Sequence, residues 1–235
     1  MSRQASSRKT AAGRVLPYPF LVMVTDRHAY GTAANGEGPR LAALIAAADV
    51  CARAGIDAVQ LRERGLEDAD LLKLATDVTR RLATTTARVV VNDRLDVAMV
   101  AGAWGVHLPA AALPCERART IVPETFVIGR SVHSIEEARS AADGGACDYL
   151  LFGTVFASRS KPVGHQVAGL DTLGRICAAV SIPVLAIGGM TVERARAVAD
   201  AGAAGLAGIG LFAAGSERAL TDAVGSIRDA FIGRH

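Results

Sequence analysis

From residue 20 onward, short apolar runs alternate along the chain with stretches that mix apolar and polar positions. In one instance the run Pro183-Val-Leu-Ala-Ile187 meets a glycine pair, Gly188-Gly189, and Thr191 then opens a segment of helical spacing that reaches Gly202. Apolar or alternating runs of four to eight residues predict strands, and a following 3.6-residue period predicts a helix laid back on the sheet. The strands predicted in this way cover 20–25, 58–61, 88–91, 105–108, 125–129, 149–152, 183–187 and 205–210. Helices are predicted over 39–54, where Gly55 stands in the carboxyl-cap position, and over 67–83 and 217–231. Ser134, with Glu137 three residues later, reads as a capping box that opens another. Eight strand-helix units are the arithmetic of an α/β fold of the closed (β/α)8 TIM barrel type, which carries its chemistry at the carboxyl ends of the strands.

A chain of 235 residues, 51% hydrophobic and 21% charged, suits one such domain with a sizeable core. Residues 1–15 have no apolar stripe and are expected to form a disordered tail ahead of a single barrel over 16–235. The net charge of +3 owes its sign to Arg3, Arg8, Lys9 and Arg14 in that opening stretch. The remainder is near neutral, which argues against a nucleic-acid partner. No apolar run is long enough for a secretory signal or a bilayer span, so no membrane partner and a cytoplasmic location are expected. The acid-free, Arg- and Ser-containing start leaves an organelle transit peptide as the alternative. Cys51, Cys115, Cys147 and Cys177 form no C-x-x-C pair and are expected to be buried thiols of a reducing compartment. Apolar outer helices leave room for a homodimer.

The strand ends carry the candidate chemistry. Gly188 and Gly189, with Gly210 at the end of the eighth strand, suit a phosphate cradle, because backbone N–H groups approach an anion closely where no Cβ intervenes. The plain alternative is that glycines only permit tight turns. The long loop 153–169 carries Ser158, Ser160 and Lys161, hydroxyls and a mobile cation able to clamp phosphoryl oxygens; a solvated loop has a similar composition. His133 closes the fifth strand, and imidazole is the side chain best placed to exchange protons near neutrality. His107, within G-V-H-L, reads either as a site residue or as a satisfied core histidine. Gln60, Arg62 and Arg64 share one face by the two-residue period, either at the barrel mouth or as ion-pair partners of Glu63 and Glu67. Asn92 and Asp93 close the third strand, and Asp93 is either a ligand for Mg²⁺ or a cap for the next helix.

With those residues in place, the chain resembles the thiamine phosphate synthase and thiazole tautomerase superfamily over about residues 18–215. The matching pieces are V-Q-L-R-E-R at 59–64, V-N-D-R-L-D at 91–96, G-V-H-L at 105–108 and I-G-R-S-V-H-S at 128–134. They continue with F-G-T-V-F-A-S-R-S-K at 152–161, I-P-V-L-A-I-G-G-M at 182–190 and A-G-A-A-G at 201–205. The synthase branch joins a pyrimidine diphosphate to a thiazole phosphate with Mg²⁺. Its pattern implies Gln60, Arg62 and Arg64 for the pyrimidine diphosphate and Asn92 with Asp93 near the metal. It further implies Ser131, Ser158, Ser160 and Lys161 for pyrophosphate, and Gly188 for the thiazole phosphate. Two departures stand out: Arg64 replaces the usual Lys, and Pro109-Ala-Ala-Ala112 replaces the stretch that should carry a second metal carboxylate. The tautomerase branch aromatises a carboxythiazole phosphate by proton transfer and needs no cofactor; there the resemblance implies His133 as the proton carrier and Gly188, Gly189 and Gly210 as the anchor for the small-molecule substrate. The sequence favours the tautomerase, with the synthase as the alternative and a catalytically silent barrel that binds a thiamine intermediate as the third reading.

Overall fold

The computed structural model describes residues 7–9, 14–30, 36–158, 167–213 and 215–233. Two short strands, β1 (Ser7–Lys9) and β2 (Val15–Pro17), pair antiparallel. The strands that follow are β3 (Phe20–Val24), β4 (Ala58–Leu61), β5 (Arg88–Asn92), β6 (Gly105–Leu108), β7 (Val127–Val132), β8 (Tyr149–Phe152), β9 (Val184–Ile187) and β10 (Gly205–Gly208). They close a parallel barrel in the order β10-β3-β4-β5-β6-β7-β8-β9, which is the (β/α)8 architecture that the sequence implies. The helices are α1 (Glu37–Arg53), α2 (Asp68–Leu82), α3 (Leu95–Val100), α4 (Cys115–Arg119), α5 (Ile135–Asp143), α6 (Gly169–Ala179), α7 (Ala195–Asp200) and α8 (Glu217–Ile232).

The two-residue strand period divides the core into two layers. Leu21, Met23, Val59, Val89, Val91, Val106, Ile128, Leu150 and Ala186 point outward and pack with the helices. Phe20, Val22, Val24, Ala58, Val90, Val127, Tyr149 and Leu185 fill the lumen. Phe20 sets its ring edge-on to Trp104 at 6.1 Å and to Tyr149 at 5.6 Å, so the lumen holds an aromatic stack rather than a pore.

Two expectations need correction here. The opening stretch is not wholly without structure, because Ser7–Lys9 pairs with Val15–Pro17 and Leu16 is buried in the lumen cluster beside Phe20. Arg14 lies 3.3 Å from buried Asp148, which also accepts from Ile128 N and from Arg119 at 2.8 Å each, so a charged network ties this arm to the barrel. A composition rich in Ser, Ala and Arg hides one buried leucine. Cys115 and Cys147 are joined as a disulfide, with Cα atoms 5.9 Å apart across a sequence separation of 32 residues, whereas Cys51 and Cys177 remain free. The start of α4 and the residue before Asp148 meet only in the closed barrel, so no spacing rule reveals the pair. Among the described residues no helix is long and apolar enough to cross a membrane.

Candidate active site

The lumen face that carries Ala58, Val90 and Val127 brings Gln60, Asn92, His107 and Ser131 inward as it climbs to the carboxyl end. Gln60 and His107 are each 1% exposed. His107 uses both ring nitrogens: Nε2 lies 2.8 Å from Ser131 Oγ and Nδ1 lies 3.2 Å from the Tyr149 hydroxyl. The two rings also stack at 5.6 Å. Burial, with Arg130 and Arg62 nearby, pushes the His107 pKa down to about 3, so the ring is neutral at physiological pH. His107 therefore stands behind Ser131 as a satisfied lumen histidine rather than at the open face. Gly129 makes this possible, since a Cβ there would fall 2.1 Å from Tyr149 Cζ.

Around the rim, Thr25 donates to the buried Glu63 carboxylate, which also accepts from Arg27 N at 2.9 Å, while Arg62 N donates to Thr25 Oγ1 at 3.0 Å. Arg27 lies 3.6 Å from Glu63 and 2.8 Å from Glu37. Glu63 is thus held by Thr25 and Arg27, not by Arg62 or Arg64. Those two form no salt bridge among the described residues. Arg62 is half-buried, and desolvation, with Arg64 beside it, lowers its pKa; Arg64 is exposed. Asn92 is half-buried at the end of β5. Asp93 is exposed and adopts φ 68°, a left-handed conformation uncommon outside glycine. Its side chain does not cap α3, whose cap residue is Arg94 with no side-chain cap bond, because in that conformation the Asp93 carbonyl, not its carboxylate, meets Leu95 N at 3.1 Å.

His133 follows β7, which runs to Val132, three residues beyond the predicted end, and so includes Arg130 and Ser131. The capping box forms: Ser134 Oγ accepts from Glu137 N at 3.1 Å, and the Glu137 carboxylate reaches back to His133 N at 2.7 Å. His133 Nδ1 is 3.0 Å from the Gly153 carbonyl. A carbonyl only accepts, so Nδ1 carries the proton and Nε2 of this exposed ring keeps its lone pair. Beyond Gly153 the chain turns along the glycine pair: Val155 N donates to Ile187 O at 2.9 Å and Phe156 N to Gly188 O at 3.1 Å. A Cβ on Gly188 (φ 101°) would meet Thr154 at 2.5 Å, and one on Gly189 (φ 61°) the Ala157 carbonyl at 2.4 Å. These glycines therefore admit the neighbouring loop as well as left-handed backbone. Arg194 clamps the junction, stacking on Phe156 at 4.5 Å and donating to the Gly189 carbonyl. The imidazole and the glycine pair thus share one segment of the mouth. Ser158 is half-buried at the edge of this loop, whereas Ser160 and Lys161 lie outside the described residues. Gly210 is exposed beyond β10, with open space where a Cβ would sit.

Sequence reasoning passed over Tyr149, Gly129 and Arg130. Tyr149 in Y-L-L-F reads as a core aromatic, and only the register against β7 shows its hydroxyl meeting His107. Arg130 donates to the carbonyls of Ala110 at 2.6 Å and Leu113 at 2.8 Å, so a guanidinium braces the loop that lacks the second carboxylate. Among the described residues no three His, Cys, Asp or Glu side chains gather as a metal cage.

A family model described as thiamine monophosphate synthase matches residues 21–212, the whole barrel from β3 to the turn beyond β10. The chain belongs to that family. It is 44% identical over 182 residues to a thiamine-phosphate synthase of Methanoculleus marisnigri, covering 77% of this chain and 85% of that one. It is 34% identical over 194 residues to a putative thiamine-phosphate synthase 2 of Aquifex aeolicus, covering 83% and 97%. Among solved structures, a thiamine phosphate pyrophosphorylase from Pyrococcus furiosus superposes with TM-score 0.76 at 29% identity, covering 92% of this chain and 98% of the other. In this thiamine monophosphate synthase family member, Gln60, Asn92, Ser131 and Gly188 occupy the carboxyl-terminal mouth in the places that the motif resemblance implies.

Proposed function

We propose that this chain acts as a thiamine phosphate synthase, joining a pyrimidine diphosphate to a thiazole phosphate with release of pyrophosphate. One observation supports the reading most: relatives named for that activity are 40–44% identical over about three quarters of the chain, and the residues implied for both substrates lie around one mouth. In this reading the Gln60 amide orients the pyrimidine ring, while Arg62 and Ser131 hold diphosphate oxygens and Gly188 and Gly189 offer backbone N–H groups to the thiazole phosphate. Holding the two substrates in register supplies much of the acceleration, since a bimolecular displacement becomes effectively unimolecular. Mg²⁺ fits in part. The Asp93 carboxylate is exposed at the end of β5 and has no hydrogen bond or ion pair among the described residues, so its oxygens are open to a hard cation. The loop 109–113 adds only carbonyls, three of which Arg130 engages. Asp93 together with diphosphate oxygens would hold the ion, which when bound offsets charge on the departing pyrophosphate.

A second reading has its own observation. The free Nε2 of His133, beside the glycine pair, suits the metal-independent isomerisation of a carboxythiazole phosphate, and the loop without a carboxylate costs that reaction nothing. Purified protein assayed with each substrate set, with and without EDTA, separates the two. EDTA-sensitive pyrophosphate release supports the synthase. EDTA-insensitive aromatisation, followed in the ultraviolet, with no pyrophosphate released, overturns it in favour of the isomerase; neither activity leaves a silent binding barrel.

A further inference from the structure

Across the lumen floor the buried polar groups form a line: Gln60, Tyr149, His107, Ser131. The His107 ring is neutral on structural grounds alone, being 1% exposed with two hydroxyls for partners and no carboxylate in contact. A neutral imidazole has one N–H and one acceptor nitrogen, so its two hydrogen bonds run in opposite senses. Either Nδ1–H donates to Tyr149 and Nε2 accepts from Ser131, or Tyr149 donates to Nδ1 and Nε2–H donates to Ser131. The first arrangement turns the Ser131 proton inward and offers only lone pairs to the mouth. The second leaves that proton pointing outward.

Gln60 decides between them. Its Nε2 is buried and without a hydrogen-bond partner, while the side chain lies near enough to Tyr149 to favour the phenolate, as a donor does. A donor facing the phenolic oxygen leaves the Tyr149 proton one destination, Nδ1 of His107. We propose that Tyr149 is a positioning residue that, by donating to Nδ1, fixes His107 as its Nε2–H tautomer and leaves the Ser131 hydroxyl free to donate to an anionic substrate oxygen. Each bond in the line polarises the next, and His107 donating to Ser131 Oγ makes that hydroxyl a better donor. Gly129, which alone leaves room for the Tyr149 ring, is part of the same device.

The inference rests on the reading that a diphosphate binds at this mouth, and the test keeps the two apart. Imidazole ¹⁵N spectra of the wild-type protein report the tautomer without any ligand; the Nε2–H form is expected for His107, and an Nδ1–H form overturns the proposal. Titration calorimetry with pyrophosphate then tests the consequence. Tyr149→Phe and Ser131→Ala should each weaken binding about tenfold, and the double variant no more than either single one. Tyr149→Phe binding as wild type, or the two losses multiplying, overturns the relay. Should Tyr149→Phe fail to fold, the wild-type tautomer still decides. No binding of pyrophosphate to the wild type, with the Nε2–H tautomer present, refutes the diphosphate reading and not the tautomer assignment.

Discussion

The two histidines of the mouth are chemically opposite because their surroundings differ. His107 is sealed among neutral hydroxyls and has no free lone pair; His133 spends only Nδ1, on the Gly153 carbonyl, and stays exposed. Proton exchange therefore belongs to His133 alone. His133→Asn removes the titrating nitrogen, and under the isomerase reading it should lower turnover by about 10²–10⁴-fold with phosphate affinity nearly unchanged. The ultraviolet change on aromatisation checks this, and full activity in that variant removes His133 from the chemistry. Under the synthase reading the sensitive residue is Asp93 instead. Asp93→Asn keeps the shape but withdraws the charge, so pyrophosphate release should fall by about 10²-fold or more and require more magnesium for half-maximal rate. A variant with an unchanged magnesium requirement would show that the ion is held elsewhere.

At the level of the strand-loop unit, the three glycines of the cradle are not equivalent. Gly189 has φ 61° and a backbone carbonyl 2.4 Å from where a Cβ would sit, whereas Gly210 is outside the left-handed region and has open space. Gly189→Ala should therefore cost about 1–3 kcal/mol of stability, and Gly210→Ala no more than about 0.5 kcal/mol. Urea unfolding midpoints of the two variants give the comparison, and equal shifts would contradict it. This difference was not legible in the sequence, where all three glycines follow apolar strands alike. What was legible followed from period: strand order, the end of each unit, the capping box at Ser134, and the inward parity that gathers Gln60, Asn92 and Ser131. What was not legible depended on contact between distant elements. The partners of Glu63 come from the preceding unit, Tyr149 meets His107 across the lumen, and Cys115 meets Cys147 only after closure. The end of β7 was misjudged because Arg130 and Ser131 interrupt the apolar run, although the lumen accepts a polar residue at that height.

For the whole barrel, the buried polar line sets how stability responds to acid. Unfolded, His107 titrates near 6.5; folded, its pKa falls to about 3, first through burial and then through Arg130 and Arg62. Between those values the unfolded chain binds the extra proton, so His107 makes stability fall as pH falls, by about 1.4 kcal/mol per pH unit in mid-window. Above 6.5 it contributes no slope. Glu63 and Asp57 act in the opposite sense, because burial raises both carboxyl pKa values and the folded state takes up their protons first. A single acid titration of the wild type mixes these opposing effects. Comparison with His107→Asn isolates one of them, since the carboxylates are common to both proteins. The variant loses hydrogen bonds and should be less stable at neutral pH, but its stability should decline less steeply than that of the wild type from 6.5 downward. Parallel unfolding curves at each pH, read as the difference in free energy, give the slope. A constant difference between the two proteins through that window would mean that the folded lumen admits a charged imidazole, and with it enough water to undo the sealed line from Gln60 to Ser131.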